Sequence, residues 1–145
     1  MTTVRNILQI KGAQVWTISP ETSILDALKF MAEKQVGALV ITENDQIVGI
    51  ISERDFVHSV AKTGKYILDS AVRQYMTKAV YVINIDALIE DCMQLMTEKR
   101  IRHLPVMENN KMVGLVSIGD IVKSIIANRE STIESLESYI IGSYR

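Results

Sequence analysis

Two hydrophobic patterns alternate along the chain. Short β-branched runs such as Ala38–Ile41 and Val48–Ile51, separated by the polar turn Glu43–Asp45, are typical of buried strands joined in a hairpin. Other segments place apolar residues at i, i+3, i+4 and i+7, the spacing of one helical face, as do Ile24, Ala27, Leu28 and Met31. The first half of the chain is therefore predicted to contain strand, helix, strand, strand and helix, in that order.

The second half of the chain repeats the first. Shifted by 65 residues, positions 15–60 align with positions 80–125 without a gap, and about 16 of the 46 aligned pairs are identical. Repeat units are predicted at 1–65 and 66–128. Three short strands and two helices leave one apolar face of each unit uncovered, so the two units are expected to pack together about a pseudo-twofold axis.

The same pattern opens the last helix of each unit: a buried strand, then serine, then aspartate three positions later. Ser52 and Asp55 form this pair in the first repeat, and Ser117 and Asp120 form it in the second. The spacing predicts a capping box at a helix N-terminus, where backbone N–H groups attract anionic ligands. A single pair of this kind is usually only structural. Its duplication at matched positions favours a ligand site.

Composition and charge argue against several classes of function. The chain has 145 residues, a formal net charge of -1 and no basic run, which argues against nucleic-acid binding. No apolar run reaches the length of a membrane span, so a cytoplasmic location with no membrane association is expected. The single cysteine, Cys92, falls on an apolar helical face and is predicted to be a core side chain rather than a nucleophile.

The sequence contains few features that are typical of an enzyme. His58 and His103 are far apart and lack the spacing of metal ligands, and neither a glycine-rich phosphate loop nor a nucleophile elbow occurs. No metal and no catalytic residue is predicted.

The duplicated unit resembles a tandem pair of CBS (cystathionine-β-synthase) domains. The resemblance rests on Gly49–Asp55 and Gly114–Asp120, which share a Gly-x-x-Ser-x-x-Asp spacing, and on Ile101–Val106. It covers about residues 3–128. It implies an α+β fold of two tandem β-α-β-β-α units packed about a pseudo-twofold axis, followed by a C-terminal helix.

What the resemblance implies about function is a regulatory module that binds adenosine-containing ligands in the clefts between its units. The ligand would be AMP, ADP, ATP, NAD(H) or S-adenosylmethionine. The module would form a homodimer and signal to a separate, unidentified protein. The alternative is a purely structural interaction or dimerisation module with no nucleotide ligand.

Roles for individual residues follow from this resemblance. The ribose hydroxyls would be bound by Ser52, Asp55, Ser117 and Asp120. The phosphates would be met by Arg102, His103 and Arg54. The adenine would lie against Ile18, Val36, Gly37, Ala38, Ile83, Ile101 and Pro105. Two simpler interpretations stay open, since Arg102 and His103 could form a solvated turn and Arg54 could pair with a surface carboxylate.

The two sites are expected to be unequal. Where the second repeat has Arg102 and His103, the first has Gly37 and Ala38, which carry no charge. The site of the second repeat is therefore predicted to be the tighter one for a phosphorylated ligand.

Residues 129–145 lie outside the repeat. They are predicted to form a separate amphipathic helix capped by Ser131 or Thr132, with Ile133, Leu136, Tyr139 and Ile140 on its apolar side. Such a helix would pack on another chain, or back on the paired units.

Overall fold

The computed structural model describes the backbone of residues 1–143 and the side chains of residues 1–130 and 133. The elements, in chain order, are α1 (Val4–Lys11), β1 (Thr17–Ile18), α2 (Ile24–Lys34), β2 (Ala38–Glu43), β3 (Gln46–Ser52), α3 (Glu53–Thr63), a 3-10 turn (Val72–Gln74), β4 (Ile83–Asn84), α4 (Ile89–Lys99), β5 (His103–Glu108), β6 (Lys111–Ser117) and α5 (Ile118–Ser143). The predicted order of strand, helix, strand, strand and helix is confirmed in both repeats.

Each repeat forms its own three-stranded sheet with the same topology. The central strand, β2 or β5, pairs in parallel with the short first strand and antiparallel with the third. The antiparallel strands are joined by two-residue turns at Asn44–Asp45 and Asn109–Asn110, and all four turn residues have positive φ. Asparagine and aspartate tolerate that conformation, which a tight hairpin with the twist of its strands requires.

One face of each sheet is covered by the helix that follows its first strand. The buried side of α2 is formed by Ile24, Ala27 and Met31, as its spacing predicts. In α4, Cys92 occupies the position equivalent to Ala27 and is fully buried. Burial raises the pKa of its thiol to about 11, so the reactive thiolate is scarce at neutral pH. The predicted core role of Cys92 is confirmed.

The compact units are offset from the sequence repeats, because each one is completed by a segment that the repeat assigns to the other. We call residues 1–14 and 66–81 the completing segments. Val15–Tyr81 forms one unit, and Met1–Gln14 together with the chain from Val82 onward forms the other. In the second, α1 docks on the loop before α4, where the N–H of Val4 donates to the Ala87 carbonyl (2.9 Å). The predicted boundaries at 65 and 66 describe the sequence repeat, whereas packing assigns the first fourteen residues to the second repeat.

The two completing segments are held in the same way. Arg5 of α1 forms ion pairs with Asp86 and Glu108 of the second repeat. In the other segment Arg73 pairs with the matching carboxylates of the first repeat, Glu21 and Glu43. Each arginine therefore ties its segment both to the loop after the first strand and to the end of the central strand.

The glycine of the repeated motif makes room for these segments. A Cβ at Gly114 would lie 2.6 Å from Cδ1 of Leu8 in α1, and a Cβ at Gly49 would collide with Met76. At both positions only glycine lets the completing segment approach the strand so closely. The repeated glycine is thus explained by packing within each unit.

The C-terminal helix differs from the prediction. A single helix, α5, runs from Ile118 to Ser143 without interruption, so the separate helix predicted to begin at Ser131 or Thr132 is wrong. The stretch between the two predicted helices contains neither glycine nor proline, and nothing in it stops the helix that begins at Ile118. The predicted packing of Leu136, Tyr139 and Ile140 concerns side chains outside those that the structure describes.

Candidate functional site

Both serine–aspartate pairs form the predicted capping boxes. In the first repeat, the Ser52 N–H donates to Asp55 Oδ2 (2.9 Å), and the Asp55 N–H donates to Ser52 Oγ (3.2 Å). In the second, the Ser117 N–H donates to Asp120 Oδ2 (2.8 Å), and the Asp120 N–H donates to Ser117 Oγ (3.2 Å). The two carboxylates are half-buried and held at fixed positions, and within the part of the chain that the structure describes Oδ1 of each accepts no hydrogen bond.

Strand pairing brings the predicted phosphate and backbone residues to these carboxylates. Ala38 lies opposite Ser52 in the first sheet, and the Glu53 N–H donates to the Gly37 carbonyl (3.0 Å). His103 lies opposite Ser117 in the second sheet. The Ile118 N–H donates to the Arg102 carbonyl (2.8 Å). We call each such arrangement a corner: the first corner is built by residues 36–38 and 52–55, and the second by residues 101–103 and 117–120.

The apolar residues predicted to hold adenine line the cores of their units. Ile18 and Val36 are half-buried against one core, Ile83 and Ile101 against the other. Ala38 and Pro105 are fully buried.

Ile18 and Ile83 lie some distance from the corners. Ile18 pairs with Ile41, three residues along β2 from Ala38 and so roughly 10 Å from it, and Ile83 pairs with Val106 in the same way. In that register Val15 comes level with Ala38, so the residues just before β1 lie closer to the first corner than those within it.

The predicted cations differ in their surroundings. Arg102 is exposed and His103 is half-buried. Arg54 is exposed on the first turn of α3, with its Nε 3.5 Å from Nε2 of His58. Its neighbour is therefore a histidine one helical turn away rather than the surface carboxylate considered above.

A cation that the sequence did not point to lies in the second corner. Lys11 Nζ is 2.7 Å from Asp120 Oδ2 and also donates to the Leu115 carbonyl (2.8 Å). The side chains of Lys11 and Asp120 are 35% and 16% exposed. Burial alone would raise the pKa of Asp120, but the hydrogen bonds from Lys11 and Ser117 outweigh it and hold that pKa below its ordinary value.

In the part of the chain that the structure describes, the first corner contains no such ion pair. Among the described residues, no lysine or arginine lies within ion-pair distance of Asp55, whose Oδ2 is bonded only by Ser52. The completing segment that reaches this side ends in a backbone pairing between Thr77 and Ile50. The two corners therefore have an aspartate at the equivalent position and differ in the groups that bond to its carboxylate.

The described residues contain no group of three or more histidine, cysteine, aspartate or glutamate side chains placed to hold a metal ion. Nor do they include a helix that is both long enough and apolar enough to cross a membrane.

Comparisons with known proteins agree on one family. The family model described as "CBS domain" matches the chain twice, over residues 4–62 and 72–127. The CBS domain-containing protein CBSX3, mitochondrial, of Arabidopsis thaliana is 33% identical over 99% of this chain and 74% of its own length. A solved CBS-domain protein from Burkholderia ambifaria MC40-6 is 42% identical, with a TM-score of 0.84, covering 87% of this chain and 95% of that one.

A more distant structure shares the fold alone. The CBS domain pair of protein MJ0100, solved in complex with 5-methylthioadenosine and S-adenosyl-L-methionine, is 24% identical. It has a TM-score of 0.77 and covers 88% of this chain and 98% of that one. With two matching domain models, the duplicated sheets and a relative aligned over nearly the whole length, this chain belongs to the CBS-domain family and carries two tandem copies of the domain.

Proposed function

We propose that this protein is a regulatory module that binds an adenosine-containing ligand at the corners of its CBS domains and signals to a separate protein. The observation that carries the proposal is the duplicated carboxylate. Asp55 and Asp120 are each held by a capping box through one oxygen, and each lies beside the loop that leads into the central strand.

The chemistry of the corner suits a ribose. A carboxylate whose position is fixed can accept hydrogen bonds from two adjacent hydroxyl groups, because each oxygen has two lone pairs. Ser52 and Ser117 add a hydroxyl to each corner, and the Gly37 backbone permits close approach in the first. Residues 54 and 102 supply exposed guanidinium groups for an anionic part of the ligand.

The class of ligand is supported by the family. CBS domain pairs are regulatory modules, and the pair of protein MJ0100 was solved with 5-methylthioadenosine and S-adenosyl-L-methionine, both of which contain adenosine. For this chain the candidates are AMP, ADP, ATP, NAD(H) and S-adenosylmethionine. In this proposal the protein itself is not an enzyme.

We also propose that the module is a homodimer built through α5 and α3, the last helix of each repeat. On α5, Ile118, Val122 and Ile126 recur every four residues and are exposed, so they form one apolar stripe. On α3, Val57 and Val60 are exposed as well. Light scattering should give twice the chain mass, and Val122→Glu should reduce it to a single chain. An unchanged mass for Val122→Glu would remove this stripe from the interface.

Calorimetric titration of the five ligands into the purified chain tests the nucleotide proposal. At least one should bind with a stoichiometry of up to two per chain and raise the melting temperature, because a ligand that binds only the folded state stabilises it. Asp55→Ala and Asp120→Ala together should abolish the binding. The matched control is Asp69→Ala, which removes an exposed carboxylate outside both corners from the unit Val15–Tyr81.

The alternative is an interaction module without a nucleotide ligand. It is favoured by the capping boxes themselves, since they already give both aspartates a structural role. A melting temperature unmoved by any of the five ligands would support this alternative and contradict the proposal.

A further inference from the structure

We propose that Lys11 determines which ligands the second corner accepts. In the free protein its ammonium group occupies the carboxylate of Asp120, and a ligand must displace or share that group in order to bind there. This inference rests on the proposed binding of adenosine-containing ligands at the corners.

The contact is specific rather than a chance surface pair. Lys11 Nζ donates to two acceptors of the second repeat, Asp120 Oδ2 (2.7 Å) and the Leu115 carbonyl (2.8 Å). The side chain of Asp120 is 16% exposed. A hydrogen bond between two charged groups in such a place is stronger than one at an open surface.

The helix that carries Lys11 is firmly docked. Val4, Ile7 and Leu8 of α1 are buried in the core of this unit, and Arg5 pairs with Asp86 and Glu108. Lys11 is the last residue of the helix and its side chain is long and flexible. The ammonium group can therefore leave Asp120 by a change of side-chain rotamer while α1 stays in place.

A ribose would compete directly with Lys11. Oδ2 of Asp120 already accepts hydrogen bonds from Lys11 and from the Ser117 N–H, while Oδ1 accepts none within the described part of the chain. One ligand hydroxyl can bind Oδ1. A second hydroxyl that approaches Oδ2 meets the ammonium group, so a vicinal diol binds fully only when Lys11 moves away.

The cost of that displacement depends on the ligand. Adenosine offers no anion to the released ammonium group, so its binding breaks the ion pair between Lys11 and Asp120 without replacing it. AMP brings a phosphate into the same corner, and a nearby phosphate attracts the ammonium group that it has released. Lys11 is thus expected to select phosphorylated ligands at the second corner. At the first corner no described lysine or arginine pairs with Asp55, so that corner is expected to accept adenosine without displacing a cation.

The test isolates the second corner and then removes the lysine. Calorimetry would compare Asp55→Ala, Asp55→Ala with Lys11→Met, and Asp55→Ala with Lys111→Met, each titrated with adenosine, AMP and 2′,3′-dideoxyadenosine. Lys111→Met is the matched control, because it removes an exposed lysine with the same charge from the same unit. Methionine keeps most of the length of the lysine side chain.

Lys11→Met should raise the affinity for adenosine about fivefold, the size expected for releasing a partly exposed ion pair. The affinity for AMP should change by less than about twofold, so the preference for AMP falls. The gain should be absent with 2′,3′-dideoxyadenosine, which has no diol to compete for Asp120. Lys11→Arg should retain the low adenosine affinity of the parent.

The failures are distinguishable. If the unmodified chain binds neither these ligands nor ADP, ATP, NAD(H) or S-adenosylmethionine, the proposed function is overturned and this inference with it. If it binds one of those four but neither adenosine nor AMP, only this inference is overturned. If the unmodified chain binds but Lys11→Met leaves adenosine unchanged, or weakens adenosine and AMP alike, the role of Lys11 alone is overturned. Should Asp55→Ala not fold, Lys11→Met in the otherwise unchanged chain gives the same comparison through the two fitted sites.

Discussion

The two corners are built by the same backbone and occupied differently. Each has a serine and an aspartate in a capping box, paired across the sheet with the residue that opens the central strand. The first corner has glycine and alanine beside its carboxylate and no ion pair among the described residues. The second has Arg102 and His103, and its carboxylate is bonded to Lys11.

The difference shows what duplication preserved. The capping box and the strand pairing depend on residues close in sequence, which the repeat copies together. The cation at Asp120 comes from a helix more than a hundred residues earlier, and the corresponding segment of the first repeat supplies a backbone pairing at Thr77 instead. The corners therefore diverge through the segments that complete them, while the repeated framework stays the same.

The largest expected effect comes from breaking the docking of a completing segment. Gly114→Ala places a Cβ 2.6 Å from Leu8 and should lower the free energy of unfolding by about 1–3 kcal/mol, the usual cost of overpacking. Chemical denaturation measures it. Gly119→Ala is the control, because its Cβ has ordinary space and a helical glycine gains about 0.5–1 kcal/mol from alanine. Equal stabilities for the two variants would contradict the packing role of Gly114.

Removing each carboxylate should separate the corners in stability. Asp55→Ala loses a capping interaction, about 1 kcal/mol. Asp120→Ala loses the same interaction and also its ion pair with Lys11, which adds up to about 1 kcal/mol. Denaturation curves at low and high salt measure both, and salt should narrow the gap by screening the ion pair. A larger loss for Asp55→Ala would reverse the comparison.

Charge next to the carboxylate should separate the corners in ligand preference. Arg102→Ala should weaken AMP binding at the second corner by about tenfold, since a charge-assisted contact to phosphate is worth about 1.5 kcal/mol or more. Arg54→Ala should have the smaller effect, because its guanidinium lies beside His58. Titration of AMP and adenosine against both variants decides the order. The reverse order would make the first corner the principal phosphate site.

The smallest expected effect is on acid stability. The pKa of Asp120 lies below its ordinary value of 3.8 in the folded protein, so its ion pair stabilises the fold above that pH and is lost as the pH falls through the lowered pKa. Relative to the unmodified chain, Lys11→Met should therefore lose up to about 1 kcal/mol near neutral pH and progressively less below pH 4. Denaturation midpoints between about pH 2 and pH 7 measure the convergence. Parallel curves would show that Lys11 does not act through this carboxylate.

Most of the framework could be predicted because it depends on local patterns. The spacing of Ile24, Ala27 and Met31 identifies the buried side of α2, and serine followed by aspartate identifies both capping boxes. The hairpin turns follow from consecutive asparagine and aspartate residues.

What the sequence did not reveal depends on long-range packing. Lys11 lies at the end of a short helix whose own sequence does not indicate which repeat it will join, and the predicted repeat 1–65 placed it with the first. The helix end predicted near Asn128 rested on a possible cap at Ser131, yet a serine within a helix does not interrupt one that has already begun. The ligand roles of all the corner residues stay predictions.

The exchange of completing segments also sets the order in which the chain can finish folding as it is synthesised. The unit Val15–Tyr81 has all its residues once Tyr81 is made. The other unit includes residues 1–14, with the apolar side chains Val4, Ile7 and Leu8. These side chains can be covered only after β4 to β6 have been synthesised. On a ribosome adding about 5–20 residues per second, the apolar side of α1 therefore stays exposed for several seconds after the last residue of the unit Val15–Tyr81 has been added. We expect a chaperone that binds this nascent chain to bind at α1.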